Sequence, residues 1–155
     1  MGKVIKLQAV GGRLSNDAKR IRLEAFYGYA REFHCAALKT GSLLVRAYLL
    51  GHAIELYLKT FLLSEGAGEK KIKGLRHNLI LTLDTCEKHG IANIARVSGQ
   101  LRSDLTSFNK AYSSKALEYF SVRHLLVPPS LPPLQRLIRF AKVLERQVAR
   151  TCVQT

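Results

Sequence analysis

Hydrophobic positions along this chain recur mostly at spacings of three and four, the period of helices that each bury one side. The first such segment, "SNDAKRIRLEAFYGYAREFHCAALKTG", carries Ile21, Ala25, Tyr29 and Phe33 four apart, widened by Leu23, Phe26, Ala30 and Ala37. Ser15, Asn16 and Asp17 offer N-cap chemistry for it, and Gly41 a stop. Gly28 inside it is expected to let a neighbouring helix approach closely. The next segment, "SLLVRAYLLGHAIELYLKTFLLSEG", is apolar nearly all round and ends at Gly66, the pattern of a helix at the centre of a bundle.

Beyond it, "GAGEKKIKGLR" reads as a Gly- and Lys-rich loop that is not ordered along its whole length. "HNLILTLDTCEKHG" predicts a short third helix, started by Asn78 or His77 and closed by Lys88, His89 and Gly90. "NIARVSGQLRSDLTSFNKAY" predicts a fourth, with Ile94, Val97, Leu101, Leu105 and Phe108 on one side. "SSKALEYFSVRHLLV" fits helix or extended chain, and "PPSLPP" then forbids regular helix across 128–133. A last helix turns Leu134, Leu137, Ile138, Ala141, Leu144 and Val148 inward and Arg136, Arg139, Arg146 and Arg150 mostly outward. No strand pattern competes, so the fold class is all-α: an up-and-down helical bundle of four to five helices. Residues 1–14 form a basic N-terminal tail and 15–155 a single domain.

Charge changes the picture most. Twenty-five Lys and Arg against eleven Asp and Glu leave 25 − 11 = +14, with a pI near 10.1. Such a surplus favours polyanionic partners: nucleic acid, nucleotides or an acidic protein. Cys35, Cys86 and Cys152 are odd in number and have no zinc spacing, so reduced thiols are expected, Cys35 and Cys86 as small core hydrophobes. Arg46, His52, Glu55 and Lys59 interrupt the greasiest window and argue against a membrane span, and "MGKVIKLQAVGG" has no signal-like apolar run. A cytoplasmic protein is the expectation.

Candidate chemistry gathers on the second helix. At 100° per residue His52, Glu55 and Lys59 share one narrow face, extended by Val45, Tyr48 and Leu63. A partly buried Glu needs a paired cation, and Lys59 four residues on is in the favourable order. An exposed Glu–Lys pair and an orienting cluster for a ligand or partner both fit this spacing. His77 beside Arg76 could meet a phosphate at a helix N-terminus, cap that helix, or meet Glu55. His34, His89 and His124 stand isolated, so no metal-ligand set and no cofactor is expected. Phosphate-loop and dinucleotide glycine motifs are missing, and Ser113-Ser114 has no base at a recognisable spacing.

"GHAIELYLKTFLL", a Gly/Lys loop and "LRHNLILTL", in that order, resemble the HEPN family of nucleotide- and RNA-associated helical domains. The family's A-x-E-x-x-L-K helix corresponds to Ala53, Glu55, Leu58 and Lys59, and its His-x-Leu helix start to His77 and Leu79. Its later Arg-Tyr segment before a proline link corresponds to Tyr119 or to Arg123-His124, ahead of Pro128. The resemblance spans about residues 18–150. It implies a bundle that often dimerises and binds RNA or a nucleotide, or partners a nucleotidyltransferase or antitoxin. Some members are metal-independent ribonucleases of toxin–antitoxin and defence systems, with an R-x(4–6)-H motif whose Arg holds phosphate and whose His assists 2′-OH attack.

This sequence departs from that nuclease pattern. Its formal match, Arg46-x5-His52, puts the two side chains about 120° apart around the helix. Counting back from Pro128 favours Glu118-Tyr119, an acid where the family has Arg; residue type favours Arg123-His124. The leading expectation is therefore binding without strong catalysis, with His52, Glu55, Lys59 and His77 as a ligand-binding or structural cluster. Arg76, Arg136, Arg139, Arg146 and Arg150 are the nucleic-acid candidates. The ribonuclease alternative would draw on His52, His77, Arg123 and His124.

Overall fold

The computed structural model describes residues 13–118, 127 and 129–153, with side chains from 17 to 150 within those limits. Among the described residues it is all-helical. Six α-helices are formed by the described residues: α1 (Arg13–Lys39), α2 (Leu43–Ser64), α3 (Glu69–Gly74), α4 (Leu79–Lys88), α5 (Gly99–Ser113) and α6 (Leu134–Val153). One 3₁₀ turn, Ile91–Asn93, links α4 to α5. No helix among the described residues is long and apolar enough to cross a membrane.

The near-continuous apolar surface of α2 makes it the axis of the bundle. It packs on α1, α4 and α6, and Leu50, Ile54, Tyr57, Leu58 and Leu62 are fully buried. The Ser42 hydroxyl caps its start, and Gly66 beyond its end takes the left-handed φ of +87° that a chain reversal requires. The turn from α1 is held by Arg46, whose guanidinium donates to the carbonyls of Ala37 (3.2 Å) and Thr40 (2.6 Å). Those carbonyls end α1 without intrahelical partners, so a cation donor there satisfies both geometry and dipole.

Several expectations need correction. Helix α1 starts at Arg13, so Ser15, Asn16 and Asp17 lie inside it rather than at its cap. Its buried face is Leu23, Ala30, His34 and Ala37, while Ile21 and Tyr29 are 62% and 59% exposed. Seven-residue spacing, not the run of four, follows the contact line with α2, because a strict four-residue run drifts around the helix. A Cβ on Gly28 would meet nothing within 4 Å, so no helix approaches it. Cys35 is exposed; only Cys86 of this pair is core. The expected loop after α2 contains α3, anchored by buried Ile72 and Leu75. Helix α5 begins at Gly99, not near residue 93, because the Ser98 hydroxyl accepts from the Leu101 amide and sets a cap there. Tyr119, Arg123, His124 and Pro128 lie outside the described residues, as do residues 1–12 of the expected tail.

Candidate functional site

Glu55 sits at the centre of the only cluster of described residues in which two helices and the turn before a third bring ionisable groups onto one carboxylate. Its side chain is 4% exposed. Lys59 donates to Oε1 at 2.5 Å; the Tyr112 hydroxyl (2.5 Å) and His77 Nδ1 (3.0 Å) converge on Oε2. Lys59 lies one turn along α2, so helix geometry alone delivers it. Tyr112 arrives from the end of α5, and His77 from the residue before the cap of α4.

Both arrivals have local causes. Tyr112 reaches α2 because Gly51 has no side chain: a Cβ there would lie 2.5 Å from two Tyr112 ring carbons and 3.2 Å from Phe108. His77 is placed by the capping of α4. The Asn78 side chain accepts from the Leu81 amide, and Asn109 on α5 accepts from the Leu79 amide at 2.8 Å and donates to Asn78. Just before it Arg76 takes a φ of +46°, an uncommon conformation for a side-chain-bearing residue. Lys59 fixes that turn by donating to the Arg76 carbonyl at 2.7 Å. One ammonium thus neutralises the carboxylate and holds the loop that carries His77.

The second half of the network is His52. Its ring stacks on Phe33 and meets Tyr48 edge-on, and its Nδ1 lies 3.1 Å from the Tyr112 oxygen. Tyr112 spends its single proton on Glu55, so it accepts from His52, which fixes the tautomer as Nδ1–H. His52 Nε2 is buried without a partner. Burial, more than the opposing field of Glu55, lowers the pKa of this imidazole and keeps it neutral. Burial also pushes the Glu55 carboxyl up, but the charge of Lys59 and the hydrogen bonds from Lys59, Tyr112 and His77 outweigh it and hold it below the usual range. The Tyr112 hydroxyl is pushed up by burial and by Glu55 and stays protonated.

A pH dependence follows. Both His52 and Glu55 have folded-state pKa values below their ordinary 6.5 and 4.5, so at acid pH the unfolded chain binds more protons. Their stabilisation is complete above 6.5 and is lost as pH falls, first through the histidine and then through the carboxylate. Chemical denaturation between pH 7.5 and about 5 should show stability falling with acid. His52→Asn, which keeps a donor toward Tyr112, should flatten that upper limb; an unchanged slope would contradict the assignment.

One donor atom each from His52, Glu55 and His77 lies within 4.8 Å of the others, so a set of metal-ligand types does converge where none was expected. Its charge is already balanced. A cation would have to displace the Lys59 ammonium and the Nδ1 and hydroxyl protons that close the network. His34 and His89 are not isolated either: His34 Nδ1 lies 3.1 Å from Glu145, which also binds Arg31, and His89 contacts Lys71. The first of these ties α1 to α6.

The remaining candidates divide by location. Arg46 closes α1 and is not aimed at the cluster, so Arg46 and His52 form no phosphate pair. Glu118 pairs with Lys115 at 3.8 Å and reaches the cluster through its field, which adds to the burial that raises the Tyr48 hydroxyl's pKa and opposes the lowering of the His52 pKa. Arg76 is exposed next to His77. On α6, Arg136 pairs with buried Asp104 (2.5 Å) and Arg150 bonds Gln147, whereas Arg139 and Arg146 are exposed. Tyr112 was not anticipated; its signal is an aromatic with a polar tip at the end of the Leu101–Leu105–Phe108 stripe. Set against known proteins, the chain matches no family model, no curated protein and no solved structure.

Proposed function

We propose that this chain is a HEPN-like helical protein that binds RNA or a nucleotide through the arginine face of α6, with the Glu55 cluster holding the helices in place. The observation that carries this reading is the distribution of charge. Arg139, Lys142, Arg146 and Arg150 fall within about 80° of one another on α6. They add a focused basic strip to a chain of net charge +14. The cluster, by contrast, has its carboxylate fully paired with Lys59, Tyr112 and His77. Contacts made by such a strip follow phosphates and carry no base readout. A homodimer belongs to the same reading, with exposed Ile21 and Tyr29 of α1 as its candidate surface.

The test is the affinity for labelled single-stranded RNA across a salt series. With about three phosphates neutralised, log K should fall with log salt at a slope of roughly −2. Flat, salt-independent binding, or none to RNA and nucleotides alike, would remove the proposal.

A second reading has one specific observation behind it. Glu55 fixes the His77 ring through Nδ1 while that side chain remains 41% exposed. A carboxylate-oriented imidazole with its second nitrogen available is an acid/base arrangement, and exposed Arg76 adjoins it. Metal-independent ribonuclease activity would then release 2′,3′-cyclic ends in EDTA and be lost in His77→Gln. RNA left intact after long incubation would exclude it.

A further inference from the structure

We propose that the groove between the N-terminal halves of α5 and α6 docks an acidic amphipathic segment of another protein. The groove measures about 200 Å³, and its apolar floor is Leu101, Phe140 and Val143. Three arginines, Arg96, Arg136 and Arg139, stand around it. Asp104 answers Arg136, but Arg96 and Arg139 have no acidic partner among the described residues. Val143 is 41% exposed, an apolar side chain left open inside a cationic rim.

That pairing selects the occupant. An aliphatic side chain fills the floor while flanking carboxylates meet the arginines, forming charge-assisted bonds. All eleven acids of the sequence sit on described helices and turns. The proposed occupant, a segment of a second protein, brings the complementary carboxylates. Nucleic acid fits the floor less well: single strands are held by stacking on exposed aromatic faces, and Phe140 is only 3% exposed. Leu101 and Tyr112 are eleven residues apart on α5, about 16 Å, so the groove is separate from the Glu55 cluster. It shares Arg139 with the proposed RNA strip, so a bound acidic segment would compete there.

The experiment measures anisotropy with the full chain and three labelled helical peptides: one with leucines on one face flanked by glutamates, one with glutamines for the glutamates, one with serines for the leucines. The first should bind about tenfold or more tighter than either control, and Val143→Ser or Arg96→Glu should each weaken it by about fivefold or more. Val143→Ser removes part of the apolar floor without adding charge beside the strip, so it should leave the circular dichroism spectrum unchanged and alter RNA affinity by less than about threefold. Arg146→Gln with Arg150→Gln should do the reverse. Equal binding of all three peptides, or peptide affinity indifferent to both groove variants, overturns the proposal. So does a Val143→Ser protein that loses RNA and peptide equally, which would make the groove a nucleic-acid site. Peptide binding without any RNA binding would leave the docking site standing and remove only the RNA reading.

Discussion

Glu55→Gln is expected to destabilise the protein by about 3–5 kcal/mol, the cost of leaving a buried lysine without its counter-charge. Lys59 sits 9% exposed and cannot swing into water without abandoning the Arg76 carbonyl. The amide keeps one acceptor, yet Tyr112, His77 and Lys59 all donate to this position, so at least one donor loses its partner. For a chain of this size the melting temperature should drop on the order of 10 °C. Lys59→Met alone should also destabilise, while the double variant should recover about 1–3 kcal/mol of the summed losses, because the two charges answer each other. A melting temperature within about 2 °C of wild type would show that water, not the protein, solvates Glu55.

Gly51→Ala should destabilise by about 2–4 kcal/mol, although alanine is the better helix former by about 1 kcal/mol. The new methyl would sit 2.5 Å from the Tyr112 ring, a distance that real contacts do not sustain. The ring cannot simply rotate away, since its hydroxyl is pinned between Glu55 and His52. Either α5 retreats or the bond to Glu55 breaks. Gly28→Ala is the matching control: its Cβ meets nothing within 4 Å, so the propensity term acts alone and should stabilise by about 0.5–1 kcal/mol. Thermal melts of the two variants should therefore move in opposite directions. A Gly51→Ala protein as stable as the Gly28→Ala protein would mean that the Tyr112 contact is not as close as described.

The same pair of glycines shows what was legible in the sequence. Periodicity located α2, α4 and α6 and most of the inward residues of α6, though not Phe140, because α2 is apolar nearly all round, α6 has one dominant apolar face, and Asn78 and Gly90 mark the ends of α4. Helical spacing likewise delivered Glu55 and Lys59 as a pair. It misjudged Gly28 and the Ile21–Ala25–Tyr29 run, because which side of α1 meets α2 depends on packing rather than on α1 alone. It could not see that Gly51 rather than Gly28 takes the close contact, since Tyr112 lies 61 positions along the chain. His34 with Glu145, and Asn109 with Asn78, were hidden for the same reason: they join helices distant in sequence. His77 meeting Glu55 was one of three readings, and tertiary placement chose among them.

In the proposed function the α6 strip meets the polyanion while the buried cluster maintains the bundle. Affinity for labelled single-stranded RNA, compared at one moderate salt concentration, tests it with two proteins. One carries Arg139→Gln, Arg146→Gln and Arg150→Gln; the other carries His77→Gln. The α6 variant should lose about tenfold or more in affinity and show a shallower salt slope, while His77→Gln stays within about threefold of wild type. Full affinity in the α6 variant, with binding lost in His77→Gln protein that remains folded, would place the ligand at the Glu55 cluster and contradict the account.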